Sequence, residues 1–275
     1  PRFSGDVAVD GDRIVAVGNV SGRGHREVDA DGLLVTPGWV DIHTHYDGQA
    51  LWDPYLTPSS WHGCTTVVMG NCGVGFAPCR PEQRHMLVEL MEGVEDIPEV
   101  VLTEGLPWNW ETFEDYLDAL GERQYDLDIA AQVPHAALRV YVMGQRGADR
   151  EPASPEDRAQ MAKLAAAGIE AGALGFSTSR TLNHRTLDGR PIPTLTAAEE
   201  ELTEIGAAIG GTGQGWMQVI SDFDDPASEM AMLRRVVARS GRPMAITILQ
   251  RDSKHDDWRE LMGHISGARA EVLDM

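Results

Sequence analysis

The 275 residues, 42% hydrophobic and 24% charged, suffice to bury one large core with a small appendage. A formal charge of −20 repels phosphate backbones and argues against a nucleic-acid partner. No apolar run approaches the roughly 20 residues of a membrane span, and three cysteines in so long a chain make no disulfide framework. With no apolar signal core at its start, a reduced, cytoplasmic protein with no membrane partner is expected.

The first 36 residues read as short strands. Asp10-Gly11-Asp12 between alternating apolar residues predicts a hairpin joining 6–9 to 13–17. Residues 25–28 and 33–35 read as two more strands around Gly32. Such pieces are too small to bury a core alone.

Residues 37–45 follow, reading Pro-Gly-Trp-Val-Asp-Ile-His-Thr-His. Pro37 and Gly38 mark a turn into a strand. Trp39, Val40 and Ile42 predict that this strand is buried. His43 and His45, spaced i and i+2, are expected to project from one face, about two residue rises (roughly 6–7 Å) apart. Two imidazoles held so can share a metal ion. Asp41 and Asp47 flank them.

Strands and helices then alternate. Strand 65–69 runs into Gly70-Asn71-Cys72-Gly73, and a helix is predicted over 81–93. Segment 92–110, with Pro98 and Pro107, is expected to be irregular, with Trp108 and Trp110 anchoring a lid or an oligomer contact. Helix 112–120 has Thr112 as its N-cap, and strand 127–132 follows. Ser154 caps a helix to about 168, with Pro155 at its first position. Strand 173–176 precedes a helix to about 209, opened by a capping box of Thr196 and Glu199. Strand 216–220, helix 226–238, strand 244–249 and helix 255–268 complete the series, and 271–273 reads as the start of a seventh strand.

That alternation predicts parallel β/α units. No Gly-x-Gly-x-x-Gly opens the first helix and the histidines end the first strand of the series, so a barrel is favoured over a doubly wound open sheet. The expected fold class is α/β, a (β/α)8 TIM-like barrel that is incomplete in this chain, over residues 37–275. Residues 1–36 are expected to be part of a small β-sandwich domain.

Three further positions carry chemistry. Cys72, after the second barrel strand, shares a rim with the histidines, where a thiolate completes a zinc site at about 2.3 Å; its other reading is a small buried residue. Ser177, Thr178, Arg180, His184 and Arg185 are expected to converge on the loop after the fourth barrel strand. A guanidinium there suits a substrate carboxylate. His135, after the third, is another rim candidate.

The Pro-Gly entry to a strand ending His43-Thr44-His45, the spacing onward to Asn71-Cys72-Gly73, and Gly-Ala-Leu-Gly-Phe-Ser-Thr at 172–178 resemble the amidohydrolase superfamily. Within it the chain looks most like the N-acyl-D-amino-acid deacylase (D-aminoacylase) branch. The resemblance implies a metal-dependent hydrolase of a non-peptide C–N bond, acting on a small-molecule N-acyl amino acid of the D series. It implies one zinc ion or two, with His43, His45 and Cys72 as ligands and Arg180, His184 and Arg185 as substrate contacts. It implies a chain truncated at both ends, with the catalytic aspartate lying beyond Met275. It also implies a histidine at the end of each of the fifth and sixth barrel strands, and here neither 217–223 nor 246–251 holds one. No lysine suited to carbamylation follows the fourth barrel strand, unlike the dihydroorotase and hydantoinase branch. Two alternatives stand: hydrolysis of another or a cyclic amide, and a non-catalytic binding protein on the same scaffold.

Overall fold

The computed structural model describes residues 3–251, 254–271 and 273–275. Two compact units divide the chain, Pro1–Pro37 and Gly38–Met275. In the first, β1 (Asp6–Asp10) and β2 (Arg13–Gly18) pair antiparallel around Gly11 and Asp12. Gly11 sits at φ +61°, a value the two-residue hairpin turn needs and a side chain resists. The strands expected at 25–28 and 33–35 do not form, and Val28, Leu33, Leu34 and Val35 are exposed. Alternation becomes a strand only where a neighbour supplies the ladder.

In the second unit, six strands lie parallel and side by side in chain order: β3 (Trp39–Asp41), β4 (Cys64–Met69), β5 (Asp128–Pro134), β6 (Gly175–Arg180), β7 (Trp216–Ser221) and β8 (Met244–Thr247). Helices α1 (Arg84–Glu95), α2 (Glu99–Gly105) and α3 (Phe113–Gly121) join β4 to β5. Next, α4 (His135–Met143), α5 (Gln145–Ala148) and α6 (Pro155–Glu170) join β5 to β6, while α7 (Glu199–Gly211), α8 (Pro226–Ser240) and α9 (Asp257–Ala270) follow β6, β7 and β8. Thr247, ending β8, comes within 3.3 Å of His43, just past β3, so the first and last strands converge at their C-terminal ends. The sheet is thus a curled partial (β/α) barrel. Val67 and Met69 of β4, Val133 of β5, Phe176 of β6 and Val219 of β7 are buried, as strands covered by crossover helices must be.

The helix caps at two predicted sites form. Thr112 Oγ1 accepts from the Asp115 amide at 3.1 Å, and Ser154 Oγ from the Asp157 amide at 3.1 Å. The box at Thr196 does not: α7 begins at Glu199 with Ala198 as its cap, and the Thr196 hydroxyl donates to Arg150 O at 3.5 Å. Within 92–110, α2 replaces the expected irregular run, because Pro98 stands at its N-cap, where no amide proton is required. Trp110 is buried and donates from Nε1 to Phe76 O at 2.7 Å, with Trp108 stacked on it at 5.3 Å. These rings belong to the core rather than to a lid.

Strand β3 departs from its predicted burial: Trp39, Val40 and Ile42 are 59%, 58% and 53% exposed. It is the sheet's edge, with β4 as its one neighbour. Strand β6 starts later than expected and runs to Arg180, so Ser177, Thr178 and Arg180 are strand residues, not loop. The expected seventh strand at 271–273 centres on Val272, which lies outside the described residues. No described helix is long and apolar enough to cross a membrane.

Candidate metal centre

Strand β4 leads into a tight turn, Asn71–Gly73, at the C-terminal end of the sheet. Gly70 opens it at φ +76°, and a Cβ there would stand 2.3 Å from Gln132 O. Only glycine fits both constraints. Cys72 is left-handed as well, at φ 56°, which costs a residue with a Cβ on the order of 1–3 kcal/mol and persists only where surroundings enforce it.

Those surroundings are polar residues sent inward by four successive strands. Gln132 of β5 donates to Asn71 Oδ1 at 2.8 Å, and Asn71 Nδ2 donates to Val68 O at 2.9 Å. Ser177 Oγ of β6 accepts from the Gly73 amide at 2.9 Å and donates to Gly70 O. Gln218 Oε1 of β7 accepts from the Cys72 amide at 3.0 Å, and its Nε2 donates to Thr247 Oγ1 of β8 at 3.1 Å. Buried polar groups are costly unless paired, and this ring ties each side chain to the turn or its neighbour, with Gln132 Oε1 left unpaired.

The turn delivers Cys72 to the histidines. His43 Nε2 stands 3.1 Å from Cys72 Sγ, and the His43 and His45 ring centroids are 5.5 Å apart. His43, His45 and Cys72 each offer a ligand atom within 4.8 Å of the others, the sole such group of three or more His, Cys, Asp or Glu among the described residues. His45 Nδ1 is buried without a hydrogen-bond partner, while its Nε2 lies 3.3 Å from Glu95 Oε1 at the end of α1. Two imidazoles and a thiol, with an orphaned ring nitrogen, form a donor set suited to zinc.

Burial pushes His45 down to about 3, helped by neighbouring His43 and His184, and it lowers His43 against the opposing pull of Asp41. Neutral imidazoles carry the lone pair that ligation requires. Burial also raises the Cys72 thiol, with Glu95 and Asp47 adding to the effect. Asp47, fully buried with Oδ2 unpaired, is raised to about 7 by the same desolvation. Glu95 is likewise raised to about 7, by burial and then by Asp96.

A model of the amidohydrolase family matches residues 26–275. The chain belongs to that family. This amidohydrolase is 35% identical over 214 residues to the D-aminoacylase of Alcaligenes xylosoxydans xylosoxydans, covering 78% of this chain and 40% of that protein. It is 38% identical over 179 residues to the N-acyl-D-aspartate deacylase of the same organism, covering 65% of this chain and 33% of that one. A solved D-aminoacylase, described as having a binuclear metal centre, superposes with a TM-score of 0.75 at 28% identity, over 98% of this chain and 52% of the other. The chain therefore spans well under two thirds of these relatives.

The other predicted residues divide. His184 is partly buried beside the cluster, its Nδ1 2.8 Å from Ser179 Oγ; burial lowers it to about 4, against the pull of Asp222. Arg185 is exposed on the same loop. Arg180 is already engaged: its Nε donates to Glu229 Oε1 at 2.6 Å and its Nη1 to Ala197 O at 2.7 Å. It lines an open cleft of about 340 Å3 with Ser221, Asp222, Phe223, Ser228 and Glu229, none of them in the ligand cluster. Asp222 accepts from Thr181 and the Leu182 amide and is not in the ligand cluster.

His135 does not line the rim. It is fully buried, with Nδ1 2.8 Å from Thr178 Oγ1 and Nε2 2.7 Å from Glu201 Oε1. Sequence reasoning missed Thr247 and Glu95 altogether and left Gln218 without a role. A signal existed for Gln218: a long polar side chain between apolar neighbours in a buried strand must have a partner waiting. Glu95, at the end of an ordinary helix, has no such signature.

Proposed function

We propose that this amidohydrolase cleaves a non-peptide C–N bond, the amide of an N-acyl amino acid of the D series, at a zinc centre built on His43, His45 and Cys72. The observation that carries the reading is the meeting of those three donors at the C-terminal ends of parallel strands, where barrel enzymes place their chemistry. The named activities of the relatives supply the substrate class. When bound, zinc supplies a Lewis acid for the scissile carbonyl and lowers the pKa of water.

The chain's own residues supply the rest. Gly70 and the ring of Gln132, Ser177 and Gln218 hold the Cys72 turn in place. Glu95 fixes the His45 ring through Nε2. We assign a substrate carboxylate to Arg185 and His184, on the loop after β6, with the Arg185 guanidinium as its bidentate partner. Arg180, committed to Glu229, braces the base of that loop. We place these functions in a barrel domain over 37–275 and assign 1–36 to a β-sandwich domain.

The test is metal content and turnover of N-acyl-D-amino acids by the intact protein, beside a His43→Ala/His45→Ala variant. The wild type is expected to carry zinc and turn over, and the variant to lose both. Undiminished turnover by a metal-free double variant overturns the proposal.

A further inference from the structure

A ring of hydrogen bonds closes on the ligand cluster from the side of β7 and β8. It starts at the Cys72 backbone amide, which can only donate, and Gln218 Oε1 receives it at 3.0 Å. That fixes the orientation of the Gln218 side chain: its other end is the NH2 group, which donates to Thr247 Oγ1 at 3.1 Å. Thr247 Oγ1 is in turn 3.3 Å from His43 Nδ1. His43 Nε2, on the far side of the ring, faces Cys72 Sγ at 3.1 Å and completes the circuit. Gln218 is 3% exposed, and its bond from the Cys72 amide is buried, so water does not compete there.

The polarity of the circuit has a chemical consequence. If Nε2 is to bind a metal, Nδ1 must carry the proton. A hydroxyl oxygen has two lone pairs, and Gln218 uses one. The second is open to the Nδ1 proton of His43. The ring thereby supports the tautomer that turns the lone pair toward Cys72.

The same two side chains decide what else the site can hold. Amide and hydroxyl oxygens are weak partners for zinc beside imidazole and thiolate, and both here are already spent on hydrogen bonds. Asp47 and Glu95 lie near, yet no second group of three donors comes together among the described residues. The D-aminoacylase that superposes on this chain is described as binuclear.

We infer that Gln218 and Thr247 are positioning residues that hold His43 and Cys72 around a single zinc ion and take the ground where a second donor set would stand. The inference rests on the proposed zinc centre. The experiment is zinc stoichiometry and affinity of the intact protein, by elemental analysis and chelator competition, for the wild type, Thr247→Val and Thr247→Ser. The cobalt-substituted forms are read for thiolate-to-metal charge transfer. One zinc per chain is expected at saturation in the wild type. Thr247→Val, close in volume but unable to accept a hydrogen bond, is expected to bind about 10–100-fold more weakly, and Thr247→Ser to restore most of the loss. A stoichiometry of two overturns the inference and leaves the proposed function standing. So does wild-type affinity in the Val variant. A wild type that binds no zinc overturns the proposed function itself.

Discussion

Two histidine clusters stand past the ends of β3 and β5, with β4 between those strands, and their chemistry is opposite. Around His135 both ring nitrogens are met: Thr178 Oγ1 and Glu201 Oε1 take them, and the Arg139 guanidinium caps the Glu201 carboxylate at 2.5 Å, leaving Arg139 Nε unpaired. All three charged or titratable side chains are at most 2% exposed. Around His43 and His45 the demands are unmet: a ring nitrogen has no partner, a thiol has only an imidazole, and a buried carboxylate oxygen is orphaned nearby. A satisfied buried network stabilises a fold, whereas an unsatisfied one marks the place for something else. Residue type and position at a strand end do not separate the two cases; the pairing of the ring nitrogens does.

Breaking the satisfied cluster should have the larger effect on stability. Glu201→Gln strands the Arg139 charge in the core and is expected to cost about 3–5 kcal/mol, read from urea unfolding. Zinc bound per folded molecule should not change. A variant of near wild-type stability would show that the triad is not the brace described. His45→Ala should do the reverse, lowering zinc affinity by about 100-fold or more while leaving the urea midpoint of the zinc-free protein nearly in place.

Acid sharpens the same contrast. Burial opposes ionisation of Glu201, but hydrogen bonds and charge from His135 and Arg139 win and hold it down to about 2, below the ordinary 4.5. A depressed carboxylate contributes stability that is whole above about 4.5 and lost as pH falls toward 2. His135, lowered by burial, acts with the same sign: the unfolded chain takes up its proton first, below 6.5. The urea midpoint should therefore fall from pH 6 to pH 3, and less steeply in Glu201→Gln; parallel slopes would count against the linkage.

The substrate loop offers a smaller effect. Arg185→Ala is expected to raise KM for an N-acyl amino acid about tenfold with kcat held, the sign of a contact made equally in ground and transition states. A fall in kcat alone would remove Arg185 from carboxylate binding. Smallest is Arg235→Ala on the outer face, which breaks an exposed pair with Glu199 and should change stability by less than about 1 kcal/mol.

Much of the frame was legible beforehand because local rules carry it. Asp-Gly made the hairpin, Ser154 and Thr112 capped their helices, and the β/α alternation required a parallel sheet. Rules of the same kind misled where tertiary context ruled instead. Thr196 lost its cap role, 25–28 found no partner strand, and β3 lay at an edge, so its apolar residues stayed exposed.

The candidate site divides along the same line. His-x-His is a short-range pattern, and a strand's alternation carries its meaning, so residues 43–45 alone pointed to a metal. The sequence by itself also placed Cys72 at a second strand's end. Whether Cys72 reaches the histidines depends on a left-handed turn, held by side chains from strands up to 146 positions away. Thr247 meets His43 across 204 positions, and only because the sheet curls. No local signal encodes such a contact, since strand order and curvature emerge from packing of the whole chain. Tertiary structure therefore decided which histidines stay open to a metal and which are sealed in the core.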